Sequence, residues 1–294
     1  MPKVMPKIVV RLMGGLGNQL FQFQKMINII ESTGETDVAF DISFYKRTKK
    51  AHEKVTFGKL FNGFRIIDLD DYNWRSSRFL ARALWKFNLE QPELSRLRFI
   101  FHDQRNWENV RKSKYIVDGF WQDSKEINES AVNKIRVALK KECESDNIHY
   151  LNSIRSSESV CVHIRRGDYL TNHHWFLRQQ DVLPVNYYQK ALDKFEEELD
   201  NPRFFVFSDD IEWVKMNFKE NESHIFVEDN DAGPLETLYL MSMCKHFIIA
   251  NSSLSWWASA LSENINKKTI APDPWQKRHH SNGILLPGWE LIQW

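Results

Sequence analysis

The sequence predicts an α/β protein of two halves, each a parallel sheet covered on both faces by helices. Three observations predict it. Short apolar runs alternate with segments of helical spacing, most regularly beyond residue 159. The first apolar run ends in a glycine turn that opens directly into a helix-like segment. The 294 residues exceed the roughly 150 that one average domain uses.

The elements follow in order. KIVVRLM at 7–13 is an apolar strand; GGLG turns the chain, and Leu20, Phe21, Ile27 and Ile30 keep helical spacing from Asn18 to about Glu31. VAFDISFY at 38–45 reads as a second strand. From Lys46 to Trp107 basic residues mix with Trp74, Phe79, Leu84, Trp85, Phe87 and Leu89, which fits irregular helical material. YIVDGFW at 115–121 is a further strand, 125–142 an amphipathic helix, and polar 143–159 the expected hinge. The domain boundary is therefore placed near 150, giving halves of 1–150 and 151–294. The second half alternates more cleanly: strands at 159–165, 203–208, 224–228, 246–250 and 268–272, with helices near 185–199, from Ile211, near 234–244 and from Ser252 to about Ser262.

Composition narrows the function. Hydrophobic types make up 42% and charged types 27%, as in ordinary globular proteins. Forty basic against thirty-nine acidic residues leave +1, which removes the bulk electrostatic case for a nucleic-acid binder. Cys143, Cys161 and Cys244 lie too far apart for a disulfide framework or a close zinc knuckle and fit a reducing compartment. The start enters a strand with no leader-like apolar segment, and Lys245, His246 and Asn251 interrupt the longest apolar window. The expectation is a soluble, cytoplasmic protein, free to visit the inner membrane face as a peripheral visitor.

Four segments can carry chemistry, each beyond the carboxyl end of an expected strand, where open parallel sheets bind ligands. In GGLGNQLFQF at 14–23, Gly15 and Gly17 let backbone approach a ligand, and Asn18 sits at a first helical turn whose amides favour anions. The alternative there is a structural turn with an asparagine cap. The third glycine of a dinucleotide fingerprint is missing, and no Lys-Ser or Lys-Thr pair makes a P-loop. In HIRRGDY at 163–169, His163 and two arginines leave the sheet. Guanidinium groups there need carboxylates or phosphates, so one arginine can brace the fold while the other forks onto a phosphate. In FSDD, Ser208, Asp209 and Asp210 are natural caps, with one carboxylate available to a base or ribose. In HFIIANSSLSWWA, Asn251, Ser252 and Ser253 crowd a helix start beyond what capping needs, which suits a phosphate. Trp256 and Trp257 read as one buried and one partly exposed ring. The pairs His173-His174 and His279-His280 are rejected as zinc ligands because adjacent side chains point apart. The residues together describe a nucleotide-phosphate ligand held between two α/β halves, and so a nucleotide-linked transferase.

The strings GGLGNQLFQF, HIRRGDY, FVFSDDIEW and LYLMSMCKHFIIANSSLSWWASAL, in that order, resemble the family 11 glycosyltransferases, inverting α-1,2-fucosyltransferases of bacteria and animals. PDPW at 272–275 resembles a turn that follows the last motif in such enzymes. The resemblance implies a GT-B-like fold of two Rossmann-type domains facing across a cleft, the second holding most of a GDP-β-L-fucose donor. It implies Arg165 on the diphosphate, Arg166 as a structural neighbour, His163 nearby and Asn18 reaching phosphate or fucose. Ser252 and Ser253 complete the cradle, and Asp209 or Asp210 address guanosine. Fucose would pass to the 2-hydroxyl of a terminal galactoside, on an oligosaccharide or a lipid-linked glycan, with inversion and without a metal. Asp168, after the arginine pair, is the candidate general base, and 169–183 the candidate acceptor-reading segment. Competing readings are a fucosyltransferase of other regiochemistry, such as α-1,6, a non-catalytic glycan- or nucleotide-binding protein of the same fold, and a nicotinamide dehydrogenase.

Overall fold

The computed structural model describes residues 4–48, 60–72, 74–86, 97–101, 114–143, 148–171, 181–228, 233–277 and 282–294. Contacts divide the chain into two compact units, Met1–Gln122 with Glu126–Ala131, and Asp123–Lys125 with Val132–Trp294.

The first unit contains β1 (Ile8–Arg11), α1 (Leu16–Thr33), β2 (Val38–Asp41), α2 (Ser43–Thr48), β3 (Ile66–Ile67), α3 (Arg75–Lys86), β4 (Leu97–Phe101) and β5 (Lys114–Asp118). Its sheet runs β3-β2-β1-β5-β4 and every described pairing is parallel. The chain steps outward from β1 to β3 and then returns to place β5 on the other side of β1. Strand order therefore reverses between β1 and β5, where a parallel sheet opens a crevice at its carboxyl edge. Ile8, Val9 and Val10 of β1 are fully buried. Val9 packs with Ile116, Leu69 and Trp74, while Phe23 stacks on Phe61 at 3.9 Å and meets Phe40 and Phe64.

Charge is buried at the same edge. Arg11, ending β1, donates from Nη1 to Asp118 Oδ1 at 2.6 Å and from Nε to Asp41 Oδ2 at 3.4 Å; Arg78 of α3 donates to the other Asp118 oxygen at 2.6 Å. The Arg11 guanidinium lies 4.6 Å from the centre of the Trp74 ring. Burial pushes the Asp41 carboxyl above its ordinary value, against the pull of the Leu69 and Ser43 amides and of Arg11. Asp41 also corrects a strand boundary. Its carboxylate receives both the amide and the hydroxyl of Ser43, which turns SFY out of the expected strand at 38–45 and into α2.

The second unit contains most of α4 (Glu129–Cys143), then α5 (Ile148–Ser156), β6 (Glu158–Ile164), α6 (Gly167–Thr171), α7 (Val185–Glu198), β7 (Pro202–Ser208) and α8 (Ile211–Asn217). It continues with β8 (His224–Phe226), α9 (Pro234–Ser242), β9 (His246–Ile248), α10 (Ser253–Leu261), β10 (Thr269–Asp273) and β11 (Glu290–Gln293). The order β11-β10-β9-β6-β7-β8 is parallel throughout. Counted within the unit it is the 3-2-1-4-5-6 order of doubly wound nucleotide folds, with its reversal between β6 and β9. Tyr187, Tyr188, Leu192 and Phe195 of α7 fill the space over Val160, Val162, Phe204 and Val206.

The expected hinge at 143–159 contains α5, because Leu151 and Ile154 sit one helical turn apart and are both buried. The division between units falls in the first turn of α4, ahead of the boundary near 150 that the sequence suggests. The stretch 46–107, expected as irregular helical material, contains strands β3 and β4 beside α3. Strand β11 also escaped the sequence reading; it lies at the sheet edge and is largely exposed, so no apolar run marks it.

Removing the charge that joins β1, β5 and α3 leaves Arg11 buried and half-paired. Asp118→Asn is expected to destabilise the first unit by about 3 kcal/mol. Hydrogen exchange over 8–11 and 114–118 reads this as lost protection.

Candidate functional site

The second unit brings three of the four sequence motifs to its strand-order reversal. Chain leaving β6 carries Arg165 and Arg166, chain leaving β7 carries Asp209 and Asp210, and chain leaving β9 carries Asn251 and Ser252. Asp209 ties the first two together. One oxygen accepts the Arg166 backbone N–H at 2.8 Å and the other pairs with Arg165 Nε at 3.2 Å. The approach needs the glycine at 167, where a Cβ would stand 2.9 Å from Asp209 Oδ2. Asp210 caps α8 by accepting the Trp213 N–H at 3.2 Å and pairs with Arg166 Nε at 3.2 Å, while Ser208 Oγ accepts the Asp210 N–H at 3.0 Å.

Arg166 thus lies between a carboxylate below and the Trp213 ring, 3.9 Å from its guanidinium. It is the bracing arginine. Arg165 is half-buried, pairs through Nε with Asp209, and has the Tyr169 ring 5.7 Å from its guanidinium. Tyr169 Oη donates to the Asn251 carbonyl at 3.0 Å, so the start of α6 is tied to the segment that leads into α10. Ser252 caps α10 by accepting the Leu254 N–H at 3.3 Å, and Ser253 opens the helix. Amides at such a start carry partial positive charge. Asn251 donates its side-chain amide to the Asp181 carbonyl at 2.7 Å, leaving a buried Oδ1 with no partner among the described residues.

His163 is buried at the end of β6, and its Nδ1 also lacks a described partner. Burial pushes its pKa down to about 4; the Arg165 charge adds to the shift and the Asp209 carboxylate opposes it. The ring is therefore neutral at physiological pH. Two buried polar atoms left unpaired at one sheet edge are costly in a folded chain, and a bound polar ligand would relieve them.

In the first unit Gly14 adopts φ +75°, and a Cβ there would collide with Asn18 Nδ2. Helix α1 starts at Leu16 with Gly15 as N-cap and no side-chain cap, so Asn18 is not the cap that the structural alternative required. Gln19 and Tyr45 both donate to the Gly14 carbonyl, at 3.2 and 2.8 Å, and Gln22 accepts the Met13 N–H at 3.0 Å. These three pin the glycine turn; the sequence places Gln19 at the first helical turn but assigns this pinning role to none of them. The glutamines of GNQLFQ were the available signal. Gly17 lies buried within the first turn of α1.

Two expectations need correction or relocation. Trp256 and Trp257 are both fully buried, because Trp256 donates to the Ile284 carbonyl at 2.6 Å and packs on Trp289 and Trp257. Neither ring is open to a sugar. Asp168 falls in α6, but its side chain lies outside the described residues, as do 172–180 of the acceptor-reading segment and His279-His280. Among the described residues no group of three or more His, Cys, Asp or Glu side chains is placed to hold a metal ion, and no helix is long and apolar enough to cross a membrane.

The model of glycosyl transferase family 11 matches residues 75–293. The chain belongs to this family. It is 33% identical over 293 residues to an α-1,2-colitosyltransferase of Escherichia coli, covering 94% of this chain and 95% of that protein. It is 26% identical over 299 residues to the O-antigen biosynthesis glycosyltransferase WbnK of Escherichia coli, covering 95% and 98%. Among solved structures, NodZ α-1,6-fucosyltransferase soaked with GDP-fucose superposes with a TM-score of 0.52 at 15% identity, over 87% of this chain and 92% of that one. The fold is therefore the GT-B architecture, two α/β units with parallel sheets flanked by helices.

Two outcomes follow. Asp209→Asn should release Arg165 and lower affinity for a diphosphate ligand by about tenfold while leaving the fold intact, as titration calorimetry with GDP would show. For His163 the folded pKa lies below the unfolded one, so the unfolded chain takes up the proton first. Stability should fall as pH drops from about 6.5 towards 4. His163→Gln should flatten that part of the curve, measured by chemical unfolding across pH.

Proposed function

We propose that the protein transfers L-fucose from GDP-β-L-fucose to a hydroxyl of a glycan acceptor, with inversion at the anomeric carbon. The observation that carries this reading is Arg165 fixed by Asp209 at a nucleotide-type strand reversal, beside the amide start of α10, in a family 11 chain. Negative charge grows on the β-phosphate oxygens as the sugar–oxygen bond breaks. A preset guanidinium and helix amides stabilise that charge more in the transition state than in the ground state. The same groups supply the counter-charge that a divalent cation gives other diphosphate enzymes, and transfer in the presence of EDTA is the expectation. Asp168 is the proposed acceptor of the hydroxyl proton. His163 and Asn251 offer a neutral ring nitrogen and a carbonyl oxygen to donor groups near the diphosphate.

Two features of the substrates stay tied to particular relatives. The colitosyltransferase supports a donor of the 6-deoxy-L-hexose class, since colitose is L-fucose without its 3-hydroxyl, and its α-1,2 linkage supports a 2-hydroxyl as the acceptor group. The second reading is α-1,6 transfer, supported by the fold shared with NodZ. The WbnK relative supports a bacterial surface-glycan acceptor.

A panel of GDP-fucose, GDP-colitose and GDP-mannose offered with galactosides, with linkage analysis of the product, tests donor, acceptor and regiochemistry together. Fucose appearing on a galactose 2-hydroxyl supports the first reading, and on a 6-hydroxyl the second. No transfer from any GDP-sugar would overturn both. Arg165→Ala should lower kcat by on the order of 10²-fold.

A further inference from the structure

Helix α3 plays no part in the motifs above, and its two faces are chemically distinct. Trp74, just before the helix, and Arg78 and Ala81 within it recur at spacings of four and three and turn towards the sheet. Trp74 and Ala81 are buried with Val9 and Ile116, and Arg78 donates from Nε to Asp118 at 2.6 Å. The opposite stripe follows the same spacing one residue on, through positions 75, 79, 82 and 86: Arg, Phe, Arg and Lys. Phe79 is 81% exposed, Leu80 beside it 54%, and Arg82 is exposed as well.

Single exposed apolar side chains are ordinary on a protein surface, but an exposed Phe-Leu pair set in a row of cations calls for a partner. Solvent faces of helices commonly mix acids with bases, which then pair one turn apart. Here no acidic residue occurs from Tyr72 to Leu89, although the whole chain carries forty basic and thirty-nine acidic residues. The partner must therefore offer negative charge to the cations and an apolar layer to Phe79 and Leu80. A second copy of this chain meeting the same face would set cations against cations, and a nucleic acid would use the cations but not the apolar pair. A bilayer with anionic headgroups supplies both at the right depths, because rings enter the acyl boundary while long cationic side chains stay among the phosphates. At 12 residues, α3 is roughly 18 Å long, too short to cross a bilayer but long enough to lie along its surface.

We propose that α3 is a membrane-docking helix. It lies flat on a bilayer that carries anionic phospholipids, with Phe79 and Leu80 in the acyl boundary and the cations of the outward stripe at the headgroups. The inward face, Trp74, Arg78 and Ala81, ties the helix to the first sheet, so docking holds the whole first unit at the surface. The proposal involves the first unit alone and does not rest on the sugar-transfer reading.

The test is sedimentation of the full chain with vesicles of phosphatidylcholine alone and of phosphatidylcholine mixed with phosphatidylglycerol. The protein should sediment with the mixed vesicles, less with the neutral ones, and less again as salt is added. Phe79→Ser should lower partitioning into the mixed vesicles by at least about tenfold, and Arg82→Gln by about fivefold. Both side chains are exposed, so the Tm should stay at the parent's value. Phe79→Cys gives a second reading: Cys143, Cys161 and Cys244 are buried, so a thiol-reactive, environment-sensitive dye labels position 79. Its emission should shift to the blue on the mixed vesicles, which reports insertion even if Phe79→Ser disturbs folding. No sedimentation with the mixed vesicles, equal sedimentation with neutral ones, partitioning of Phe79→Ser equal to the parent's, or a dye that does not shift would each overturn the proposal. So would a parent dimer, seen by light scattering, that Phe79→Ser dissociates and vesicles leave intact, because the occupant of the face would then be a second copy.

Discussion

The second unit's site depends on one carboxylate. Asp209 joins two strand ends by accepting the Arg166 amide and pairing with Arg165 Nε. An arginine leaving a sheet without such a partner would sample many rotamers, and each ordering of a long charged side chain on ligand binding costs free energy. Held at Nε, the guanidinium would meet the proposed diphosphate with part of that cost already met by folding. Arg166 is spent differently: Asp210 and the Trp213 ring take it into the scaffold. The two neighbouring arginines therefore take different partners, Asp209 for Arg165, and Asp210 with the Trp213 ring for Arg166.

The first unit solves a related problem with buried polarity. Its sheet edge holds Arg11 between Asp41 and Asp118, and α1 is fastened to the chain after β5 by amides and an ion pair rather than by apolar packing alone. Buried ion pairs add little net stability compared with apolar packing, but breaking one is costly, so they fix geometry. A glycine turn pinned by Gln19, Gln22 and Tyr45 and an asparagine held by Gln122 extend the same fixing to the chain that leaves β1.

Local features were legible in the sequence. The glycine turn, the arginine pair, the serine-rich helix start and the alternation beyond residue 159 are each short, and their chemistry follows from residues within a turn of one another. Features made by distant partners were not. Lys25 meets Glu126 and Gln22 meets Gly119 across about a hundred residues of chain, so glutamines and a lysine on α1 gave no sign of being buried. Trp256 is met by the Ile284 carbonyl and the Trp289 ring from further along the chain, and one local feature was missed too, the contact of Asp41 with Ser43 that ends β2 and that apolar pattern ignores. Tyr169, reaching the Asn251 carbonyl, stood inside a motif whose charged residues drew the attention.

The placement of the diphosphate between Arg165 and the start of α10 is tested most directly by comparing GDP with GMP in titration calorimetry at fixed ionic strength. The proposed function sets the β-phosphate against the guanidinium and the helix amides, so GDP should bind at least about tenfold more tightly than GMP. Equal affinities would contradict that placement, because recognition would then end at the nucleoside and its first phosphate.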